Sequence, residues 1–254
     1  MKKSHEGSHG LVWAFHAMAC VVMLGILGCN PPEPAKPPAK AGEAAKTAEP
    51  AKPAEKAPAG AAKVPGEPDA EGWRSVFDGK TLTGWKVTPF GGEGKVEIKD
   101  GQLILNQGAG DLTGVTWAGG DLPKMNYEVS VEAMRVDGSD FFCGLTFPVR
   151  DSFASLIVGG WGGSLVGISC FDYADAANNE TTKMISFENK RWYKIRLRVT
   201  EKKIEAWIDD DQVVDAEPGT RKISVRMEVE ESKPFGLAAW RTKAALKNIR
   251  VRTL

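Results

Sequence analysis

Over much of the chain beyond position 71, apolar and polar residues alternate one by one, the period of a strand with one wet face. Tyr193-Lys-Ile-Arg-Leu-Arg-Val199 sends Tyr193, Ile195, Leu197 and Val199 to one side and Lys194, Arg196 and Arg198 to the other. Residues 203–208 repeat the pattern, and Asp209-Asp210-Asp211 then leads into Gln212-Val213-Val214, which predicts a hairpin. Three consecutive carboxylates in so tight a turn point apart, so they are read as turn residues and not as a calcium site. Further strands are predicted over 95–98, 102–106, 127–136, 141–147, 154–158, 165–171, 235–240 and 246–252. No stretch of this region has a helical period. One-sided strands in such number bury their apolar faces most economically in two stacked sheets, so the expected fold is all-β: a two-sheet antiparallel β-sandwich of jelly-roll type.

The beginning of the chain follows other patterns. Lys2 and Lys3 precede an apolar run over 11–28, broken only by His16, which is the layout of a secretory signal. The run ends in Ile26-Leu27-Gly28-Cys29, which looks like a bacterial lipobox, and Cys29 is the expected lipidation site. An uncleaved membrane anchor is the alternative, and either outcome places the remainder outside the cytoplasm. From Pro31 to Ala70, 34 of 40 residues are Ala, Pro, Lys or Glu, with no aromatic and a single branched aliphatic, Val64. Such a segment cannot bury enough apolar surface to offset its ordering entropy and is expected to be a disordered spacer, with an upper reach of about 120 Å if extended. The chain therefore divides into a signal peptide (1–28), a lipidated Cys29 with its tether (29–70) and one β domain (71–254).

Charge and rare residues narrow the chemistry. The chain has 33 basic and 33 acidic residues, and the domain alone is as evenly balanced, so no nucleic-acid partner is implied. The only membrane contact expected is through the lipid on Cys29. All three histidines, His5, His9 and His16, fall in the signal, so a histidine base or histidine-held metal is not expected in the mature domain. No metal or cofactor is called for. Cys143 and Cys170 are the domain's cysteines; in a simple meander they lie two strands apart, roughly 9 to 10 Å, too far for a disulfide. Two separate thiols are expected.

Trp73-Arg-Ser-Val-Phe-Asp-Gly-Lys-Thr-Leu-Thr-Gly-Trp85 resembles the opening of the 3-keto-disaccharide hydrolase family, also described as 3-keto-glucoside lyase and 3-keto-glucal hydratase domains. Val96-Glu-Ile-Lys-Asp-Gly-Gln-Leu103 and Tyr127-Glu-Val-Ser-Val-Glu-Ala-Met134 continue the likeness, while 137–188 matches poorly. The closing strands look like those of laminin-G-like and concanavalin A-like folds. The resemblance implies action on glucosides whose C3 hydroxyl has become a ketone. The ketone acidifies the C2 proton, a carboxylate removes it, the C1 substituent leaves, and water adds to the resulting glucal. Such a site needs a base of matched pKa, a cation or donor pair for the enolate oxygen, and an aromatic face for the ring.

For the base, Glu132 lies mid-strand among Val129, Val131 and Ala133, where an unpaired carboxylate is uncommon; pairing with Arg135 or Lys124 on a solvated face is the competing explanation. Asp140, at the end of the Asp137-Gly-Ser-Asp turn, faces a groove or merely closes the turn. Arg135 and Arg241 are the candidate electrophilic partners. In Gly159-Gly160-Trp161-Gly162-Gly163, the glycines either free Trp161 as a sugar platform or bend the chain with the indole folded inward. Asp172 and Tyr173, with Asp175 close by at the same strand end, are further candidates for substrate binding, with a turn or calcium role as the competing explanation. Three readings remain open: an exported enzyme of 3-keto-glycosides or related sugars, a non-catalytic carbohydrate- or protein-binding module, and a structural envelope protein with a vestigial groove.

Overall fold

The computed structural model describes residues 66–254. The signal segment, Cys29 and nearly all of the tether lie outside the described residues. The strands are β1 (Arg74–Ser75), β2 (Trp85–Val87), β3 (Val96–Lys99), β4 (Gln102–Leu105), β5 (Leu112–Trp117), β6 (Tyr127–Gly138), β7 (Cys143–Val149) and β8 (Ser152–Gly160). They continue as β9 (Leu165–Ser169), β10 (Lys183–Met184), β11 (Trp192–Val199), β12 (Ile204–Ile208), β13 (Asp211–Ala216), β14 (Gly236–Trp240) and β15 (Thr242–Thr253). A 3-10 turn, Met227–Ser232, is the only helical element among the described residues.

The strands form two antiparallel sheets. One runs β13-β12-β11-β6-β15-β4-β3, with β1 added against β15; the other runs β10-β9-β8-β7-β14-β5-β2. The expected two-sheet sandwich is the fold observed.

Register follows from the alternation. Tyr193, Ile195 and Leu197 of β11 stand opposite Ala133, Val131 and Val129 of β6, all facing inward. A one-residue slip would exchange this apolar row for lysine and arginine, so burial fixes the pairing. The second sheet contributes Leu145, Phe147, Leu156 and Ile168 from β7 to β9 to the same core. Phe142, Phe187 and Tyr193 meet as an aromatic trio with centroids 5.0 to 5.8 Å apart.

The second sheet differs in being buried on both faces. Leu112, Phe141, Ile157, Leu165 and Ala238 form a separate apolar cluster with Ala176 and Val229 on the side away from the main core. The segment around Val229 and the loop around Ala176 lie over that side. This explains why β5 (Leu-Thr-Gly-Val-Thr-Trp) does not appear among the predicted strands. All six of its residues are buried, so it shows no alternation.

The cysteines lie where the meander puts them. β7, β8 and β9 pair consecutively, with Cys143 on β7 and Cys170 just past β9, and both thiols are free and buried. Burial pushes the Cys143 thiol up to about 12 and raises that of Cys170 as well. A thiol reagent at pH 8 is therefore expected to label neither cysteine in the folded protein and both once denaturant is added. Rapid native labelling would contradict that burial.

Candidate functional site

The covered face of the second sheet holds a cavity of about 260 Å³. Its floor is the outward side of β8 and β9, where Ser155, Ile157 and Ser169 stand on alternate positions. Its walls carry Phe141, Trp161 and Trp240, and its charged groups are Asp140, Arg226 and Glu228. Two indoles, a guanidinium and two carboxylates thus converge on one small hollow.

Each wall residue is set by its neighbours. Trp161 sits at the turn between β8 and β9 with φ +48, an uncommon value for a residue with a side chain. Gly162 and Gly163 beside it also have positive φ. Trp161 is 45% exposed, so its indole stands free of the core and is not folded inward. Gly163 is confined as well as left-handed: a Cβ there would lie 2.8 Å from the Ser139 carbonyl and 2.9 Å from Arg135 Nη1. Trp240 ends β14 and packs against Phe141 with centroids 6.3 Å apart.

Asp140 ties this loop to β7. Its Oδ1 accepts the Phe141 N–H at 2.7 Å and its Oδ2 the Gly162 N–H at 3.0 Å. An ionised carboxylate has about four acceptor positions, so lone pairs remain.

Arg226 enters from the segment preceding the 3-10 turn. Nε and Nη2 donate to Glu228 at 3.2 and 2.6 Å, Nη1 donates to Asp175 at 2.7 Å, and the guanidinium lies 6.0 Å from the Trp161 ring centre. Three of five N–H groups are engaged, which leaves two. The Arg226 hydrogen bond holds the Glu228 carboxyl below its ordinary value. The same bond raises Arg226.

The sequence-derived candidates are distributed unequally. Asp140 and Trp161 line the cavity. Glu132 does not: it lies on the outer face of the first sheet, 3.4 Å from Lys247 and accepting 2.7 Å from Asn248. Its alternation with Val131 and Ala133 sends it away from the core, and neither Arg135 nor Lys124 pairs with it. Arg135 is on the inward side of β6, only 6% exposed, and hydrogen-bonded to the Phe187 carbonyl and Asn189 Oδ1, each at 2.7 Å, and to the Gly163 carbonyl at 3.2 Å. It braces the Trp161 loop from behind. Arg241 pairs with Asp111 at 2.6 Å and stacks 5.9 Å from Trp240, outside the cavity lining. Asp172 and Tyr173 occupy a tight turn closed by Phe171 and Ala174, where Asp172 accepts the Lys222 N–H at 2.9 Å. Tyr173 is 70% exposed, contacts Lys222, and lines a neighbouring hollow that shares Arg226 and Glu228 with the first cavity.

Arg226 and Glu228 are not among the residues singled out from the sequence, whereas Asp175, which stands with Asp172 and Tyr173 at the strand end, holds Arg226 in place. A signal existed for the first two: in Val225-Arg-Met-Glu-Val229 the apolar residues alternate with charges, as in a segment with one side on a protein surface. Nothing in the sequence connects that segment to Trp161. Among the described residues no group of three or more His, Cys, Asp or Glu side chains is arranged to hold a metal.

Several solved structures align with the chain at low identity. Crh5 transglycosylase in complex with NAG aligns with a TM-score of 0.51 and 14% identity, over 74% of this chain and 87% of that one. A protein of Parabacteroides distasonis assigned to the glycosyl hydrolases aligns at 0.47 and 14% identity, over 73% and 95%. The carbohydrate-binding module CBM66 of Bacillus subtilis aligns at 0.45 and 17%, over 67% and 96%. No curated protein matches the chain. The family model of the 3-keto-alpha-glucoside-1,2-lyase-like domain matches residues 72–252, and the chain belongs to that family of carbohydrate-active domains.

Proposed function

We propose that the domain acts on 3-keto-glycosides by elimination, with the sugar ring held in the cavity between Trp161 and Trp240. Asp140 accepts the C2 proton, and Arg226 stabilises the negative charge that moves onto the C3 oxygen. The C1–O bond then breaks with departure of the aglycone, and water adds across the glucal. The observation that carries this reading is the meeting of Asp140, Arg226 and two indoles on one concave surface in a family named for this chemistry. Glu228 adds a chemical preference. Held ionised by Arg226, it carries no proton to donate, whereas acid-assisted glycoside hydrolysis needs a protonated carboxyl beside the leaving oxygen. Elimination from a keto-sugar needs only a base and a charge partner.

Incubation with a 3-keto-glucoside should release aglycone and 3-keto-glucose. Release no faster than in buffer would retire the proposal. Trp161→Ala should weaken glycoside binding about tenfold while leaving thermal stability nearly unchanged, because the indole is half exposed.

A second reading, a carbohydrate-binding module, is favoured by one observation: Asp140 and Arg226 already spend much of their hydrogen-bonding capacity within the protein. Binding lost in Trp161→Ala with no turnover by either protein would support it. For location, the lipobox-like Ile26-Leu27-Gly28-Cys29 supports an exported protein anchored by lipid on Cys29. Mass spectrometry of the mature N-terminus should find an acylated Cys29; an unmodified Met1 would refute this.

A further inference from the structure

Beside the indole-walled cavity lies a second hollow of about 380 Å³. Asp140 and Trp161 face the first hollow, and their neighbours Ser139, Gly162 and Gly163 face the second. The second hollow is also lined by Ser164, Ser186 and Asn189, and its one charged group is Arg135. No carboxylate lines it.

Arg135 is unusual in its setting. It is more than nine-tenths buried, yet no carboxylate pairs with it among the described residues. Its acceptors are the Asn189 amide oxygen and the carbonyls of Asp140, Gly163 and Phe187. Asp140, whose backbone carbonyl accepts from Arg135, turns its carboxylate oxygens to the N–H groups of Phe141 and Gly162. Carbonyl dipoles solvate the guanidinium but do not neutralise it, and a buried cation without a counter-charge is costly. Nη2 makes one hydrogen bond, to Phe187, so its second N–H remains. A cation with a spare donor, hydroxyls around it and no competing carboxylate is the composition of an oxyanion site.

We propose that this second hollow is a subsite for an acidic sugar, taking the carboxylate of a uronic acid or the sulfate of a sulfated unit joined to the residue in the first cavity. The inference rests on the proposed glycoside cleft and narrows its substrate class to anionic glycans.

The test is an NMR titration of the full 15N-labelled chain with methyl glucuronide, methyl glucoside and glucose 6-sulfate. The glucuronide or the sulfate ester should bind about tenfold tighter than the neutral glucoside and shift the amides of Gly163, Ser164 and Asn189; which of the two does so identifies the anion. Ser164→Asp, which adds a carboxylate to the lining of the same hollow without removing Arg135, should bring the preference to about one. Arg135→Met should do the same if it folds, and Ser164→Asp decides the matter if it does not. Equal affinity for charged and neutral sugars, or a preference that survives Ser164→Asp, overturns the inference. Shifts at Gly163, Ser164 and Asn189 without any at the Trp161 indole would leave the anion subsite standing and remove the glycoside cleft. Shifts at Trp161 alone would do the reverse.

Discussion

Arg226→Ala is expected to lower turnover of a 3-keto-glucoside about 100- to 1,000-fold, the range seen when one preorganised donor to a developing oxyanion is removed. The loss should fall on kcat more than on KM, since the enolate charge exists only after the C2 proton has moved. Arg226 keeps two N–H groups free of Glu228 and Asp175, and no other cation lines the cavity. Arg226→Lys should recover only part of the rate, because an ammonium keeps the charge without the planar fork that holds Glu228 at two points. Stability should change little, since Arg226 and Glu228 are both partly solvated. Steady-state kinetics of both variants make the check. Wild-type kcat in Arg226→Ala would place the chemistry elsewhere.

The largest effect on stability is expected at Glu128, on the opposite side of the sandwich. Its carboxylate is fully buried although it points outward from β6, because three arginines close over it. Oε1 accepts from Arg196 at 2.9 Å and Arg198 at 2.7 Å, and Oε2 from Arg252 Nε at 2.6 Å. The cluster joins β11, β6 and β15, and the guanidinium of Arg196 lies 3.7 Å from the Trp207 ring centre, with that of Arg252 4.6 Å from Trp73. Removing the carboxylate leaves three converging cations. Glu128→Ala should therefore cost about 3 kcal/mol, a fall in Tm of roughly 10 °C.

The pH dependence has a definite sign. Burial by itself raises the Glu128 carboxyl, but hydrogen bonds from Arg198 and Arg252 outweigh it and hold the group below 4.5. A depressed native value means that the stabilisation is complete above the unfolded value and is lost as pH falls through the native one. The stability gap between wild type and Glu128→Gln should be full at neutral pH, narrow below about 4.3, and vanish only under the depressed native value. Denaturant melts at pH 7, 4 and 2.5 measure it, and a gap that widens on acidification would contradict the assignment.

Glu128 also illustrates what sequence reading can and cannot reach. The rule that a carboxylate within a strand must be paired or used applies to both Glu128 and Glu132, which stand on the same face of β6. Choosing between them requires knowing which strands flank β6, and the arginines that bury Glu128 come from β11 and from β15, more than 120 residues away in the case of Arg252. The candidate site has the same character. Asp140 and Trp161 could be picked out because a turn carboxylate and a glycine-flanked indole are local oddities. Arg226 could not, since its importance comes only from the loop that carries it across the second sheet.

What the sequence determined by itself was the class of fold, the strands with one wet face and which of their residues face inward, and the separation of the two thiols. Each follows from residue type and two-residue periodicity, which act over a few neighbouring positions. Tertiary structure decided the rest: that the second sheet is covered on both sides, which hides β5 from any test of alternation, that Glu132 faces outward and Arg135 stays behind the Trp161 loop, and that Arg226 meets Asp140. Those outcomes depend on which strands and loops lie side by side, and that is settled by burial across the whole sandwich, not by local pattern.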